Sequence, residues 1–431
     1  MDKLGTLFYI TFLLIINFSQ VNGGKNSNLF DTFSSVYFFY SQIDEKPDNT
    51  FTSIQNKPGR FVPLSGNLEQ MKKFFNSLKT SKNNVIRIAH YGDSLIQGDL
   101  ISAHLRDRFQ SVFGGTGAGF LSIISNDIKM RYTTKHTFSE DWEYVSIVTR
   151  NAARLPLGIS GSVAIPNLNS WVKYEAQDYL PSTTSFNKIK IYYSHAESIS
   201  LLEYIIDEKI KRRVFLETGS NLNTLEIDSE GSSRSIEIKF ISGKSPYIYG
   251  VSLESGNGVY LDNFSMPGNT GSSLLEIPEN VLKEFNKVNE YNLIILTYGA
   301  NVSSPYSGIF QVYENKMVTV IEQFKKIFRN ASFLLVGVGD KTIKRGNQFI
   351  TNPDVDKLLN TQMKIVEKTE IAFWNLWNAM GGQNSMAEWV NAAPPMALQD
   401  YSHFTPIGAE RVANLVYDAI LDLYNRFENR R

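Results

Sequence analysis

The apolar residues of this chain follow two patterns, and the change from one to the other predicts its architecture. In the first pattern, short and nearly continuous apolar runs alternate with stretches that place apolar residues at helical spacing. Strands of that kind are buried on both faces, so they indicate a parallel β-sheet with helices on both sides. The predicted strands are residues 85–89, 293–296, 333–338 and 371–374, and the predicted helices are residues 68–78, 100–109, 313–328, 354–368 and 406–424.

The second pattern occupies the middle of the chain, where apolar and polar residues alternate and no segment has convincing helical spacing. Such alternation is typical of half-buried strands, here at residues 189–193, 213–217, 223–227, 236–241 and 247–253. A run of strands inside an α/β chain predicts an inserted all-β sandwich domain. The predicted division is a first α/β part at 66–156, the sandwich at 157–258, and a second α/β part at 259–431.

The N-terminal residues have the composition of an export signal. Lys3 precedes an apolar stretch at residues 4–16. Residues 21–23 are of small or moderate size, as a signal-peptidase cleavage site requires. We expect a signal peptide at 1–23, an irregular lead-in at 24–65 that packs on the main domain, and a periplasmic or secreted protein. The apolar stretch is short for a membrane span, so no stable span is expected after cleavage; an uncleaved anchor is the alternative.

Charge and cysteine content narrow the class of protein further. The chain has 43 basic and 43 acidic residues and no cysteine. A net charge of zero lacks the basic surplus of a nucleic-acid-binding protein, so no nucleic-acid partner is expected. Without cysteine, the exported chain has neither disulfides nor a lipid-modified cysteine, and it relies on its core for stability.

Three polar clusters far apart in the sequence carry the candidate chemistry. Gly92-Asp93-Ser94 and the segment ending in Asn301 each follow a predicted strand, and Asp400 to His403 precede the last helix. The carboxyl ends of parallel strands share one edge of the sheet, which is where ligands bind. We therefore predict Ser94 as a nucleophile, His403 as its general base and Asp400 as the acceptor that orients the histidine.

An acyl-transfer intermediate also needs donors for its oxyanion. The Asn301 side-chain amide and the backbone N–H of Ser94 fit that role, with a glycine of "SMPGNTG", Gly268 in preference to Gly271. Each residue has a simpler interpretation: Ser94 or Asp400 as a helix cap, Asn301 as a turn residue or glycosylation site, and His403 as a core residue. Their joint placement at strand ends favours one shared site.

The remaining candidate residues have smaller predicted roles. Asp93, Tyr91, Gly381 and Gly382 are predicted to border the site, and the glycine-rich "FGGTGAGF" at 113–120 is predicted to be a loop beside it. The other histidines are interpreted as structural: His90, His104, His136 and His195. No cluster of His, Cys and carboxylate residues has metal-ligand spacing, so neither a metal nor a cofactor is expected.

Four blocks now carry a resemblance to a known family: "GDSL" (92–95), "SMPGNTG" (265–271), "YGAN" (298–301) and "DYSHFTPIG" (400–408). In this order they resemble the SGNH, or GDSL-type, hydrolase superfamily, which implies a flavodoxin-like three-layer α/β/α fold. The segments 88–120 and 373–389 are similar to exported peptidoglycan O-acetylesterases, which carry a carbohydrate-binding-like, jelly-roll-like sandwich between the first two blocks. One departure is Val302 after Asn301, where an acidic residue is common.

The resemblance implies an acetylesterase whose partner is an acetylated glycan. The sequence is also compatible with several alternatives. The same residues serve enzymes that act on another polysaccharide or on a lipid, or that transfer acetyl groups. A catalytically silent glycan-binding envelope protein would use the sandwich alone, and a structural envelope protein would need neither Ser94 nor His403.

Overall fold

The computed structural model of the chain describes residues 58–125, 127–149, 151–242, 246–302 and 308–429. The predicted signal peptide at 1–23 and most of the predicted lead-in lie outside these ranges. The described end of the lead-in packs on the α/β domain, where Arg411 Nη2 donates to the Gly59 carbonyl at 2.9 Å and the Arg60 N–H donates to the Ala379 carbonyl at 2.8 Å. In the part of the chain that the structure describes, no helix has the length and apolar character needed to cross a bilayer.

The elements of the described residues are named in chain order. The strands are β1 (Ser65–Gly66), β2 (Val85–Gly92), β3 (Thr116–Leu121), β4 (Thr134–Phe138), β5 (Glu143–Ser146), β6 (Ser162–Ile165), β7 (Trp171–Ala176), β8 (Phe186–Ser194), β9 (Leu201–Ile206), β10 (Ile210–Phe215), β11 (Asn223–Ser233), β12 (Ser235–Ser242), β13 (Tyr247–Ser255), β14 (Gly258–Ser265), β15 (Tyr291–Thr297), β16 (Ser332–Val336), β17 (Thr342–Arg345), β18 (Gln348–Thr351) and β19 (Ala372–Trp374). The α-helices are α1 (Lys72–Leu78), α2 (Leu100–Phe113), α3 (Glu279–Asn289), α4 (Ile309–Ile327), α5 (Asp354–Thr369), α6 (Leu376–Met380), α7 (Ser385–Val390) and α8 (Pro406–Glu428).

A parallel sheet forms the centre of the α/β domain, as the apolar strand pattern predicted. Its strand order is β1-β19-β16-β15-β2-β14. All neighbours pair in parallel except the two-residue strand β1, which is antiparallel to β19. Strand β2 therefore lies between β15 and β14, and the carboxyl ends of these three strands lie side by side at one edge of the sheet.

Helices cover both faces of this sheet. Alternate residues of β15 point to opposite sides: Leu293 and Ile295 belong to one buried cluster, while Ile294 and Leu296 belong to another. Helices α1, α2 and α8 contribute apolar side chains to the first cluster, and α3, α4 and α5 contribute to the second. The near-continuous apolar sequence of β15 follows directly, because neither of its faces contacts water.

Two antiparallel sheets occupy the middle of the chain, with strand orders β10-β9-β12-β7-β4 and β11-β8-β13-β6-β5. They share one buried cluster, to which the first sheet contributes Val172 and Ile236 and the second contributes Ile191 and Val251. The alternation of apolar and polar residues reflects this one-sided burial. Strands β4 and β5 already belong to these sheets before residue 157, whereas β14, which starts at Gly258, belongs to the parallel sheet.

Residues 116–120 of the glycine-rich segment predicted as a loop belong instead to strand β3, which pairs antiparallel with β13. Glycine is depleted in strands, so residue preference gave no indication of this element. The packing explains the glycines: a Cβ on Gly117 would lie 2.3 Å from the Leu253 carbonyl oxygen, and one on Gly119 would lie 2.7 Å from Asp262 Oδ1. Side chains at these positions would push β3 away from its neighbours.

Candidate active site

Ser94 lies at the turn that follows the central strand β2. Asp93 begins a 3₁₀ helix at Ser94–Asp99, and its side chain accepts a hydrogen bond from the Leu95 N–H at 3.0 Å. Glycine is needed at position 92 for this tight turn, because a Cβ there would lie 2.9 Å from the Ile96 side chain and 3.0 Å from the Thr297 carbonyl oxygen. The turn leaves Ser94 partly exposed, although its neighbours are buried.

The loop before α8 brings His403 to this serine. Ser94 Oγ and His403 Nε2 lie 2.8 Å apart, and His403 Nδ1 lies 2.6 Å from Asp400 Oδ2. The other Asp400 oxygen accepts the backbone N–H groups of Ser402, at 2.9 Å, and His403, at 3.0 Å. Asp400 thus holds both the loop and the imidazole, and the three side chains form one hydrogen-bonded series.

The charges within this series reinforce one another. Burial would lower the pKa of His403, but the hydrogen bond to Asp400 and the negative charges of Asp400 and Asp93 outweigh it, so the pKa lies above its usual value. Burial would likewise raise the pKa of Asp400, but hydrogen bonding and attraction to His403 hold that pKa below its usual value. Asp400 is therefore a carboxylate at neutral pH, and His403 is a stronger base than a free imidazole.

The predicted oxyanion donors follow the two strands beside β2. The turn after β14 contains Gly268, whose φ is +77°; no hydrogen bond within the described residues engages its backbone N–H. The Gly271 N–H, by contrast, donates to Asn269 Oδ1 at 2.7 Å. Asn301 follows β15, and its side-chain amide donates to the Asn269 carbonyl at 3.1 Å.

Asp93 and Tyr91, two of the predicted border residues, have buried side chains. The Asp93 side chain is fully buried, and this burial raises its pKa to about 6 against the hydrogen bond from Leu95 and the attraction of His403. Tyr91, predicted to border the site, lies instead in the core: its hydroxyl donates to the Ile159 carbonyl at 3.0 Å, and its ring packs on Phe264. The alternation along β2 turns Tyr91 into the sheet interior.

Gly381 and Gly382 form the turn between α6 and α7. Their N–H groups donate to the carbonyls of Asn378, at 3.2 Å, and Trp377, at 2.9 Å. Their φ values of +131° and +90° explain the choice of glycine. No hydrogen bond or ring contact of the described residues joins either glycine to Ser94 or His403, so a border role for this turn rests on sequence alone.

The β17–β18 hairpin contacts the loop that carries His403, and it was not predicted from the sequence. Its first residue, Thr342, donates its N–H to the Tyr401 carbonyl at 3.2 Å, and the Phe349 ring stacks on the Tyr401 ring with centroids 4.1 Å apart. Tyr401 lies between Asp400 and His403 in the chain. The signal was present as Gly346-Asn347 between two short alternating runs, which is typical of a two-residue hairpin turn.

Comparison with solved structures confirms the fold. A structure described as "Peptidoglycan O-acetylesterase in action, 5 min" superposes with a TM-score of 0.69 and 20% identity, over 84% of this chain and 99% of that chain. A GDSL-like lipase from Parabacteroides merdae ATCC 43184 has a TM-score of 0.31 and 18% identity, over 38% and 74% of the two chains. An acetyl xylan esterase, AlAXEase, has a TM-score of 0.29 and 19% identity, over 37% and 81%. No family model and no curated protein matches the chain.

The first of these structures decides the comparison, because the TM-scores of the other two are below 0.5. It spans both the parallel sheet and the antiparallel sheets of this chain, as its coverage requires. The chain therefore shares the fold of that esterase, and the resemblance predicted from the four sequence blocks is confirmed at the level of the fold.

Proposed function

We propose that this protein is an exported serine esterase that removes O-acetyl groups from a cell-wall glycan, with peptidoglycan as its substrate. The observation that carries the proposal is the continuous series from Ser94 Oγ through His403 to Asp400, with contacts of 2.8 and 2.6 Å. Such a series activates a hydroxyl for attack on a carbonyl carbon. A helix-capping serine would need no histidine at that distance.

In the first half of the reaction, Ser94 Oγ attacks the carbonyl carbon of the acetyl ester while His403 Nε2 takes the hydroxyl proton. Asp400 stabilises the imidazolium that forms and keeps its Nδ1–H directed at the carboxylate. The bond between the carbonyl carbon and the sugar oxygen then breaks, and His403 returns its proton to that oxygen. The products of this half are the free sugar hydroxyl and acetyl-Ser94.

In the second half, His403 removes a proton from water, and the resulting hydroxide attacks the acetyl-Ser94 carbonyl. The bond to Ser94 Oγ breaks, the serine regains its proton from His403, and acetate leaves. In both halves the negative charge on the carbonyl oxygen is held by the N–H groups of Ser94 and Gly268 and by the Asn301 amide. The Gly271 N–H already donates to Asn269 Oδ1, whereas the Gly268 N–H has no partner among the described residues, and this difference favours Gly268 as the backbone donor.

The glycan and the location are the finer parts of the proposal. The fold shared with a peptidoglycan O-acetylesterase supports peptidoglycan as the substrate, and the predicted signal peptide supports export. We assign residues 134–255, together with β3, to the inserted carbohydrate-binding-like sandwich. The start that we propose is earlier than the predicted residue 157, because β4 pairs with β7 and β5 pairs with β6.

The test is acetate release by the wild-type protein and by Ser94→Ala. We expect hydrolysis of p-nitrophenyl acetate and of O-acetylated peptidoglycan by the wild type, and a loss of at least about 10³-fold in kcat for the variant. Ser111→Ala, on the exposed side of α2, is the matched control and should keep full activity. Unchanged activity in Ser94→Ala would overturn the mechanism. Release from acetylated xylan but not from peptidoglycan would keep the mechanism and overturn the substrate.

A further inference from the structure

The β17–β18 hairpin presents a mixed aromatic and cationic surface beside the candidate active site. In its register Lys344 lies opposite Phe349, so these two side chains share one face, while Ile343 and Arg345 lie on the other face. Lys344 Nζ lies 5.8 Å from the centre of the Phe349 ring. Phe349 keeps 39% of its surface exposed, so part of this ring is accessible to a ligand.

The hairpin is attached to the loop that carries the candidate base. The rings of Phe349 and Tyr401 are nearly parallel, with an interplanar angle of 8° and centroids 4.1 Å apart. The Thr342 N–H bonds to the Tyr401 carbonyl, and Tyr401 is two residues from His403. The hairpin is therefore joined to the His403 loop by both a backbone hydrogen bond and a ring stack.

The charge of this segment has one sign. Residues 341–353 contain Lys341, Lys344 and Arg345 and no carboxylate. Within the described part of the chain, none of these three cations forms an ion pair with an acidic side chain. Lys341 Nζ instead lies 3.4 Å from the Ala300 carbonyl, next to Asn301. Lys341 thus places one positive charge beside the strand ends, where it also acts on Asp93, while Lys344 and Arg345 lie on the hairpin.

We propose that Lys344 and Phe349 bind the glycan beside the acetyl ester, and that this glycan carries a carboxylate. The inference rests on the proposed esterase function and specifies its substrate class as an acidic O-acetylated glycan. The apolar C–H face of a pyranose ring packs against an aromatic side chain, as other apolar surfaces do. The carboxylate pairs with the Lys344 ammonium, which has no acidic partner of its own within the described residues.

The test compares two acetylated oligosaccharide probes that differ in charge: O-acetylated oligogalacturonate, which is anionic, and O-acetylated xylo-oligosaccharide, which is neutral. The wild type should have the lower KM for the anionic probe. Lys344→Gln should raise the KM for the anionic probe by roughly two- to fivefold, as expected for the loss of an exposed ion pair. The KM for the neutral probe should not change. Phe349→Ala should raise both KM values, by roughly five- to tenfold.

Arg345→Gln and Ile343→Ala are the matched controls, because they remove a cation and an apolar side chain from the opposite face of the same hairpin. Both should keep the wild-type KM values. Added salt should shrink the preference for the anionic probe in the wild type and have little effect in Lys344→Gln. Equal KM values for the two probes in the wild type, or equal effects of Lys344→Gln and Arg345→Gln, would overturn the proposal.

Direct binding separates this proposal from the esterase function. Titration calorimetry of Ser94→Ala with oligogalacturonate measures the surface without any chemistry. Binding that weakens in Ser94→Ala/Lys344→Gln supports the surface even if the wild type hydrolyses no ester. Absence of binding, together with hydrolysis of p-nitrophenyl acetate by the wild type, would overturn the acidic-glycan surface and leave the esterase function intact.

Discussion

The Asn301 side-chain amide donates a hydrogen bond to the Asn269 carbonyl at 3.1 Å. Asn269 is fixed in turn, because its own side chain donates to Ser273 Oγ at 2.6 Å and accepts the Gly271 N–H. One of the two amide hydrogens of Asn301 thus orients the group, and in the proposed mechanism the other donates to the oxyanion. The two turns that flank Ser94 form a single pre-organised unit, as electrostatic stabilisation of an oxyanion requires.

Asn301→Ala should therefore lower kcat with little change in KM, because the amide contacts the oxygen only when charge develops on it. The expected loss is roughly 10²- to 10³-fold. Steady-state kinetics with p-nitrophenyl acetate measure both constants. Asn391→Ala, at an exposed asparagine after α7, provides the control. A rise in KM without a fall in kcat would show that Asn301 binds the ground state rather than the transition state.

The pH dependence of kcat/KM should report the His403 base. Only neutral imidazole can accept the Ser94 proton, and Asp400 raises the His403 pKa above 6.5 in the folded protein. Activity should therefore fall on the acidic side with a midpoint above pH 6.5. Asp400→Asn removes the carboxylate, so the midpoint should move to lower pH while kcat falls by roughly 10⁴-fold. A wild-type midpoint at or below 6.5 would contradict the assigned pairing.

Asp93→Asn should stabilise the protein at alkaline pH. The folded-state pKa of about 6 lies above the ordinary value of 3.8, so the folded protein binds this proton more tightly than the unfolded chain. Stability is therefore lost as pH rises from about 3.8 through 6, by on the order of 3 kcal/mol at pH 8. The amide keeps an acceptor for the Leu95 N–H and has no charge to bury.

Thermal unfolding at pH 8 and below pH 4 measures this effect. The melting temperature of Asp93→Asn should exceed that of the wild type at pH 8, and the two should agree below pH 4. Asp418→Asn, at an exposed acid of α8, controls for the loss of one negative charge. A difference that is the same at both pH values would mean that packing, not ionisation, is responsible.

Glu254→Gln should destabilise the fold, because Glu254 joins the antiparallel sheets to the parallel sheet. Its Oε1 lies 2.5 Å from Arg87 Nη2 on β2, and its Oε2 lies 3.5 Å from Lys190 Nζ on β8. Arg87 and Glu254 are each only 2% exposed. Removing the carboxylate leaves a buried guanidinium under-compensated, which costs about 3–5 kcal/mol.

Chemical denaturation measures that free energy of unfolding. The exposed pair of Glu279 and Lys283 on α3 supplies the control, and Glu279→Gln should change stability by no more than about 0.5 kcal/mol. If the Glu254→Gln protein is as stable as the wild type, water or a structural rearrangement must compensate the buried positive charge of Arg87.

Much of the architecture could be predicted because it depends on local patterns. Burial on both faces leaves a continuous apolar run such as β15, and burial on one face leaves an alternating run such as β8, whatever the rest of the chain does. The predictions failed where a distant contact determines the structure. Half of the residues of strand β3 disfavour strands, and it forms because β13 and Asp262 pack closely against its glycines.

The candidate site divides in the same way. The residue types needed for acyl transfer, at strand ends or before the last helix, could be read from the residues alone, and they made Ser94, Asn301, Asp400 and His403 the candidates. Their distances could not, because Ser94 and His403 are 309 positions apart and meet only through the order of the strands and the docking of α8. The burial of Tyr91 and the stacking of Phe349 on Tyr401 could not be predicted either. Both depend on contacts between residues that are far apart in the sequence. Local sequence selects the chemistry of each group, and the three-dimensional arrangement decides which groups can act together.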